Sequence, residues 1–135
     1  MLSLHGYGPS IFEGTVLTLE VSLASLFIAM LLGICGALAK LSGARSLRLV
    51  AQVYTTIIRG IPDLVLMLLI FFGGQVLINQ LGPLVGYDDY IDINPFIAGV
   101  STIGFIFGAY MTETFRGAIL AVNRGQLEAG TAYGM

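Results

Sequence analysis

The chain has 135 residues, 56% of them hydrophobic and only 10% charged, with a formal net charge of −2 and a mean hydropathy of +0.90. A water-soluble fold of this composition would lack the polar surface needed to cover its core, so the chain is read as an integral membrane protein. The composition also leaves no basic patch for nucleic acid; the single cysteine, Cys35, offers neither an intrachain disulfide nor a Cys-ligated metal site, and the single histidine, His5, falls short of a zinc ligand set.

Three apolar stretches, residues 15–39, 61–81 and 96–122, are each long enough to cross a hydrocarbon layer that takes about 20 helical residues to span. Residues 1–14 carry no Lys or Arg, and the first stretch is longer than the core of an export signal, so span one (15–39) is expected to be retained. Within it Thr15, Thr18, Ser22, Ser25, Ala29, Gly33 and Gly36 recur at three- and four-residue steps along one helix side. Small residues let backbones approach closely in lipid, so this side predicts a packing seam. Glu20 falls on the opposite side, near the outer end, where it can reach the interface.

Lys40, Arg45 and Arg48 crowd the connection after span one, whereas the connection from Gly82 to Pro95 has no basic residue and carries Asp88, Asp89 and Asp92. Basic loops stay in the cytoplasm, which predicts an outer N-terminus and a cytoplasmic C-terminus. Span two, bounded at 58–81, opens on Arg59-Gly60-Ile61-Pro62-Asp63. Pro62 suits a first helical turn and Asp63 the positive end of the helix dipole; contact between Asp63 and a cationic solute is the alternative. Gln75 and Asn79 put two amides on one side of the same span, able to line a polar cavity or to bond a neighbour. Span three (96–122) repeats the small-residue spacing with Gly104, Gly108 and Thr112, then places Glu113 and Arg116 within reach of each other as an ion pair. Charges inside a span usually face a bundle interior or a water-filled path. A pathway role and a purely structural pair both fit. Residues 123–135 emerge in the cytoplasm.

Four segments then carry a resemblance: Lys40-Leu41-Ser42, the run from Tyr54 to Asp63, the run from Gly108 to Ala118, and the terminal Gly125 to Gly134. Together they resemble the permease subunits of bacterial ABC importers for polar amino acids, through Arg-Gly-x-Pro, Glu-x-x-Arg-Gly-Ala and Glu-Ala-x-x-x-x-Gly. The segment from Arg59 to Phe72 looks most like the histidine/lysine/arginine/ornithine type. The resemblance implies an all-α polytopic membrane bundle, the N-terminal part of a type I importer transmembrane domain with three spans, set in the bacterial inner membrane. It implies that Glu128, Ala129 and Gly134 belong to the cytoplasmic EAA loop that docks on a separate ABC ATPase subunit, with Gly130 replacing the usual second alanine. It further implies a second permease subunit, an extracytoplasmic solute-binding protein and an amino-acid substrate, and no cofactor. No Walker-type phosphate loop occurs, so ATP hydrolysis is expected in the partner and not here.

An anion near a cationic side chain makes Glu113, with Thr112, the first pathway candidate, followed by Asp63 and Gln75. Arg59, Arg116 and Pro62 are read as ion-pair or packing residues. The chain ends at Met135, inside the EAA loop, so the rest of that loop and the two C-terminal spans expected of such a permease are missing from it, as in a fragment or a natural truncation. The competing reading is a small structural or assembly membrane protein with no transport path of its own.

Overall fold

The computed structural model describes residues 6–86 and 89–135. His5 and Asp88 lie outside the described residues. Everything regular within them is helical: α1 (Gly8–Leu41), α2 (Arg45–Gly60), α3 (Asp63–Leu81), a 3-10 turn (Gly82–Val85), α4 (Pro95–Ala121) and α5 (Arg124–Ala132). Three segments, Gly8–Leu41, Asp63–Leu84 and Pro95–Ala121, are long and apolar enough to cross a membrane. The all-α membrane bundle that the resemblance implies is therefore the observed fold.

The helix boundaries follow local chemistry. α1 begins at Gly8, with Pro9 in the first turn, where a missing N–H leaves no bond unmade. Residues 45–60, a basic connection and lead-in on the sequence reading, form the separate helix α2. Span two accordingly does not start at residue 58: Ile58, Arg59 and Gly60 finish α2, and the chain turns at Ile61 (φ −114, ψ 140) and Pro62 (φ −56, ψ 132) before α3 begins. Pro62 cannot donate into a continuous ladder, and its ring pushes Ile61 out of the helical region. At the far end Gly86 (φ 86) closes the 3-10 turn in a left-handed conformation that suits glycine. Asn94 then caps α4, its side-chain oxygen accepting from the Phe96 and Ile97 N–H groups, with Pro95 as the first helical residue.

The principal packing contact is between α1 and α4, which run parallel. A Cβ added at Gly104 would lie 2.7 Å from Ile28 Cγ2, one at Gly108 2.8 Å from Leu32 Cβ, and one at Gly36 against the Thr112 side chain. Those pairs advance by four residues on both helices, so each helix supplies glycine where the other supplies bulk. Gly33 fits the same seam, with no room for a Cβ beside Met111 (2.5 Å). Ser25, Ala29, Gly33, Ala37 and Lys40 are buried along it. In that register α4 runs out, at Pro95, before it reaches Thr15 and Thr18. Both are exposed, and with Ser22 they bond the carbonyl four residues back in their own helix at 2.7 Å. The predicted seam is thus real from Ser25 onward and unpartnered before it.

Helices α2 and α3 lean on the other side of α4 around Ile58, Leu66, Ile106 and Ala109. Tyr54 fixes the junction by donating to the Phe105 carbonyl at 2.5 Å, and Gly108 leaves the space its phenol occupies. Burial pushes the Tyr54 phenol up from its ordinary value to about 12, so it keeps its donor proton even in strongly alkaline solution.

Gly108→Leu is expected to overpack two helix contacts together and to cost about 1–3 kcal/mol or more. Gly73→Ala, at a helical site with open space around it, should instead stabilise by about 0.5–1 kcal/mol. Thermal unfolding midpoints in detergent check both; equal midpoints for the two variants would remove the seam as the principal contact.

Candidate functional site

The seam determines the site, because its next step beyond Gly36 is Lys40. That side chain is 4% exposed, a state a charge occupies only when paired and hydrogen-bonded. Its ammonium donates to the Thr55 Oγ1 of α2 at 2.5 Å and to the Glu113 Oε1 of α4. The other carboxylate oxygen of Glu113 accepts from Arg116 at 3.3 Å, one helical turn further along α4. Three helices are joined through one buried amine. The Thr55 hydroxyl, in turn, bonds back to the Ala51 carbonyl at 3.0 Å.

Beside this cluster, Tyr110 donates to the Asp63 Oδ1 at 2.8 Å, and the Arg59 guanidinium lies 5.9 Å from the centre of the Tyr110 ring. Asp63 therefore does not cap α3 through its side chain; Pro62 holds the cap position and the carboxylate crosses to α4. It still sits in the first turn, where the helix dipole favours an anion. Between α2 and α4 opens a recess of about 490 Å³ with walls that include Gln52, Thr56, Arg59, Tyr110, Glu113 and Arg116.

Of the residues singled out in the sequence, Arg59, Glu113 and Arg116 meet at this recess, and Asp63 joins them through Tyr110. Pro62 makes the break that sets Asp63 opposite Tyr110. Thr112 is fully buried in the α1–α4 seam, its hydroxyl donating to the Gly108 carbonyl at 2.8 Å. Gln75 lies towards the other end of α3, where it donates to the Ile91 carbonyl at 2.5 Å and accepts from the Ile93 N–H at 3.1 Å. Asn79 both donates to and accepts from Ile91, at 2.9 and 2.8 Å. Glu20, Glu128, Ala129 and Gly134 are exposed. Helix α5, capped by the Asn123 side chain, packs on no other helix among the described residues.

Sequence reasoning missed Lys40, Thr55 and Tyr110. For Lys40 the signal was present: it continues the small-residue spacing past Gly36, and a lysine on a buried seam needs a carboxylate. Thr55 and Tyr110 become visible only once α2 is a helix of its own.

These elements agree with the matches to known proteins. The family described as "Binding-protein-dependent transport system inner membrane component" matches residues 21–135. The chain belongs to this family. Membership, with three apolar helices, makes it a multi-pass inner-membrane protein. The family member is 53% identical over 131 residues to the histidine/lysine/arginine/ornithine transport system permease protein HisQ of Salmonella typhimurium, covering 97% of this chain and 57% of that protein. Octopine transport system permease protein OccQ of Rhizobium radiobacter is 39% identical over 96% of this chain and 55% of its own length. A chain of a solved structure titled "Crystal structure of an amino acid ABC transporter with histidines" superposes with a TM-score of 0.77 at 36% identity, covering 99% of this chain and 57% of that one. The chain spans somewhat over half the length of the curated relatives it matches.

Lys40→Met leaves Glu113 with Arg116 alone and should cost about 3–5 kcal/mol, as removal of one partner of a buried pair does. Arg116→Gln breaks the more exposed contact and should cost no more than about 1 kcal/mol. Chemical denaturation of the detergent-solubilised protein separates the two; equal losses would mean that Lys40 is not the member that matters.

Proposed function

We propose that the chain forms part of a permease subunit in an ATP-driven importer, and that it lines part of the path taken by a polar, cationic amino acid. The carrying observation is the charged recess between α2 and α4. A wall bearing Arg59, Glu113 and Arg116 is too costly to face lipid, so it faces water, solute or further helices. The family description names dependence on a binding protein, and the names of the relatives are those of amino-acid and opine systems. Together they support an extracytoplasmic solute-binding protein as donor and a basic amino acid as cargo.

In this reading Glu113 and Asp63 border the path. Thr112 and Gln75 act at one remove, Thr112 by seating α4 on α1 and Gln75 by holding the segment before α4. Arg59, Arg116 and Pro62 shape the recess. The N-terminus lies outside and the C-terminus in the cytoplasm: Lys40, Arg45, Arg48 and Arg124 gather at one end of the bundle and Asp89 and Asp92 at the other. Helix α5 is the docking element for an ABC ATPase subunit, through Glu128, Ala129 and the turn at Gly134. Its exposed Leu127 and Tyr133 offer the apolar contacts such an interface needs. A second permease subunit completes the path, and the ATPase supplies the energy.

Two measurements test this. With Tyr133→Cys in a Cys35→Ser background, a membrane-impermeant maleimide should label the complete permease in inside-out but not right-side-out vesicles; labelling from the periplasmic side would overturn the orientation. Leu127→Glu should abolish co-purification of the ATPase and reduce uptake of labelled basic amino acids to background. Retained uptake would remove α5 as the coupling element.

A further inference from the structure

The recess carries more positive than negative charge, and this bears on which end of a solute it takes. Among the described residues its walls hold Lys40, Arg59 and Arg116 against a single carboxylate, Glu113. Both oxygens of that carboxylate are already engaged, one by Lys40 and one by Arg116. For Glu113 to receive the cationic side chain of a solute, the buried Lys40 ammonium would have to give up its only carboxylate partner among the described residues, a loss that low-dielectric surroundings penalise heavily. Arg59 is placed differently. It is exposed, forms no salt bridge among the described residues, and rests over the Tyr110 ring. A guanidinium at this distance over a ring face is drawn toward it while its planar donor fork remains available. Thr56 stands three residues and Gln52 seven residues before Arg59, on the same side of α2, and their side chains meet each other only at 3.5 Å. That adds an amide and a hydroxyl donor beside the fork.

We propose that this recess is a carboxylate subsite, in which Arg59, assisted by Gln52 and Thr56, binds the α-carboxylate of the transported amino acid. Glu113 is then a structural counter-ion to Lys40 and not the receptor for the cationic side chain. The inference rests on the importer reading above and assigns the end of the solute that this face recognises. Arg–carboxylate pairing is bidentate and charge-assisted, which suits a group every amino acid carries. Selectivity among side chains would then be exercised elsewhere in the assembled transporter.

The test is equilibrium binding to the complete permease–ATPase complex in neutral phosphatidylcholine nanodiscs, without binding protein, where no anionic headgroup competes. The probes are L-arginine against agmatine and L-histidine against histamine, each pair differing by the carboxylate. The wild-type complex should prefer the amino acid by about tenfold or more, the value of a charged hydrogen bond expressed as affinity. Arg59→Gln should remove that preference while agmatine or histamine still binds, which also shows that the variant is folded. Arg59→Lys, keeping charge without the fork, should give an intermediate ratio and serves if Arg59→Gln does not assemble. Equal wild-type affinities within a pair, or a preference that survives Arg59→Gln, overturns the carboxylate subsite and leaves the importer reading standing. If no amino acid binds or is transported by the complex, both fall.

Discussion

The structure depends on how closely α1 and α4 approach. In lipid there is no hydrophobic drive to bring two apolar helices together, so association rests on van der Waals contact and on the polar groups that contact encloses. Glycines at 33, 36, 104 and 108 remove the side chains that would keep the backbones apart. Only then does the last turn of α1 deliver Lys40 to Glu113 and Thr55, and only then does α2 have a surface to lie against. A buried ion pair is weak evidence for added stability, but here it fixes which turn of α1 meets which turn of α4. The packing positions the charges, and the charges set the register of the packing.

The break at Ile61 and Pro62 is the second organising feature. Ending α2 at Gly60 lets Arg59 reach the Tyr110 ring, and starting α3 at Asp63 lets the Asp63 carboxylate take the Tyr110 hydroxyl. Tyr110 is thereby bonded to an anion at its hydroxyl and faced by a cation over its ring. The recess beyond it owes its polarity to this arrangement and not to any one residue.

Much of this was legible in the sequence, and what was not has identifiable causes. Length and hydropathy are additive properties, so the three membrane-crossing helices and the fold class could be read directly. The small-residue seam was visible because a helix places every third or fourth residue on one side; its outer limit was not, since that is set by where α4 begins. Thr112 and Glu113 are neighbours in sequence, yet a helix turns one toward Gly36 and the other toward Lys40. That separation follows from the rotation between adjacent residues once the partner of the seam is known. Gln75 and Asn79 were recognised as paired amides, but their partners are backbone groups at 91 and 93, which no side-chain pattern announces. Lys40 counted as a loop charge because it sits near basic neighbours, although its spacing from Gly36 assigned it to the interior.

The clasp that Gln75 and Asn79 place on residues 91–93 has its own consequence. Two amide side chains reproduce for this extended segment the pairing a neighbouring strand would provide, meeting the N–H and C=O of Ile91 and the N–H of Ile93. Unpaired main-chain groups are what normally keep non-helical polypeptide out of the acyl layer. With these three groups occupied, Ile91 and Ile93 can lie closer to the acyl layer than a bare extended segment could, while the exposed Asp92 carboxylate between them stays on the water side.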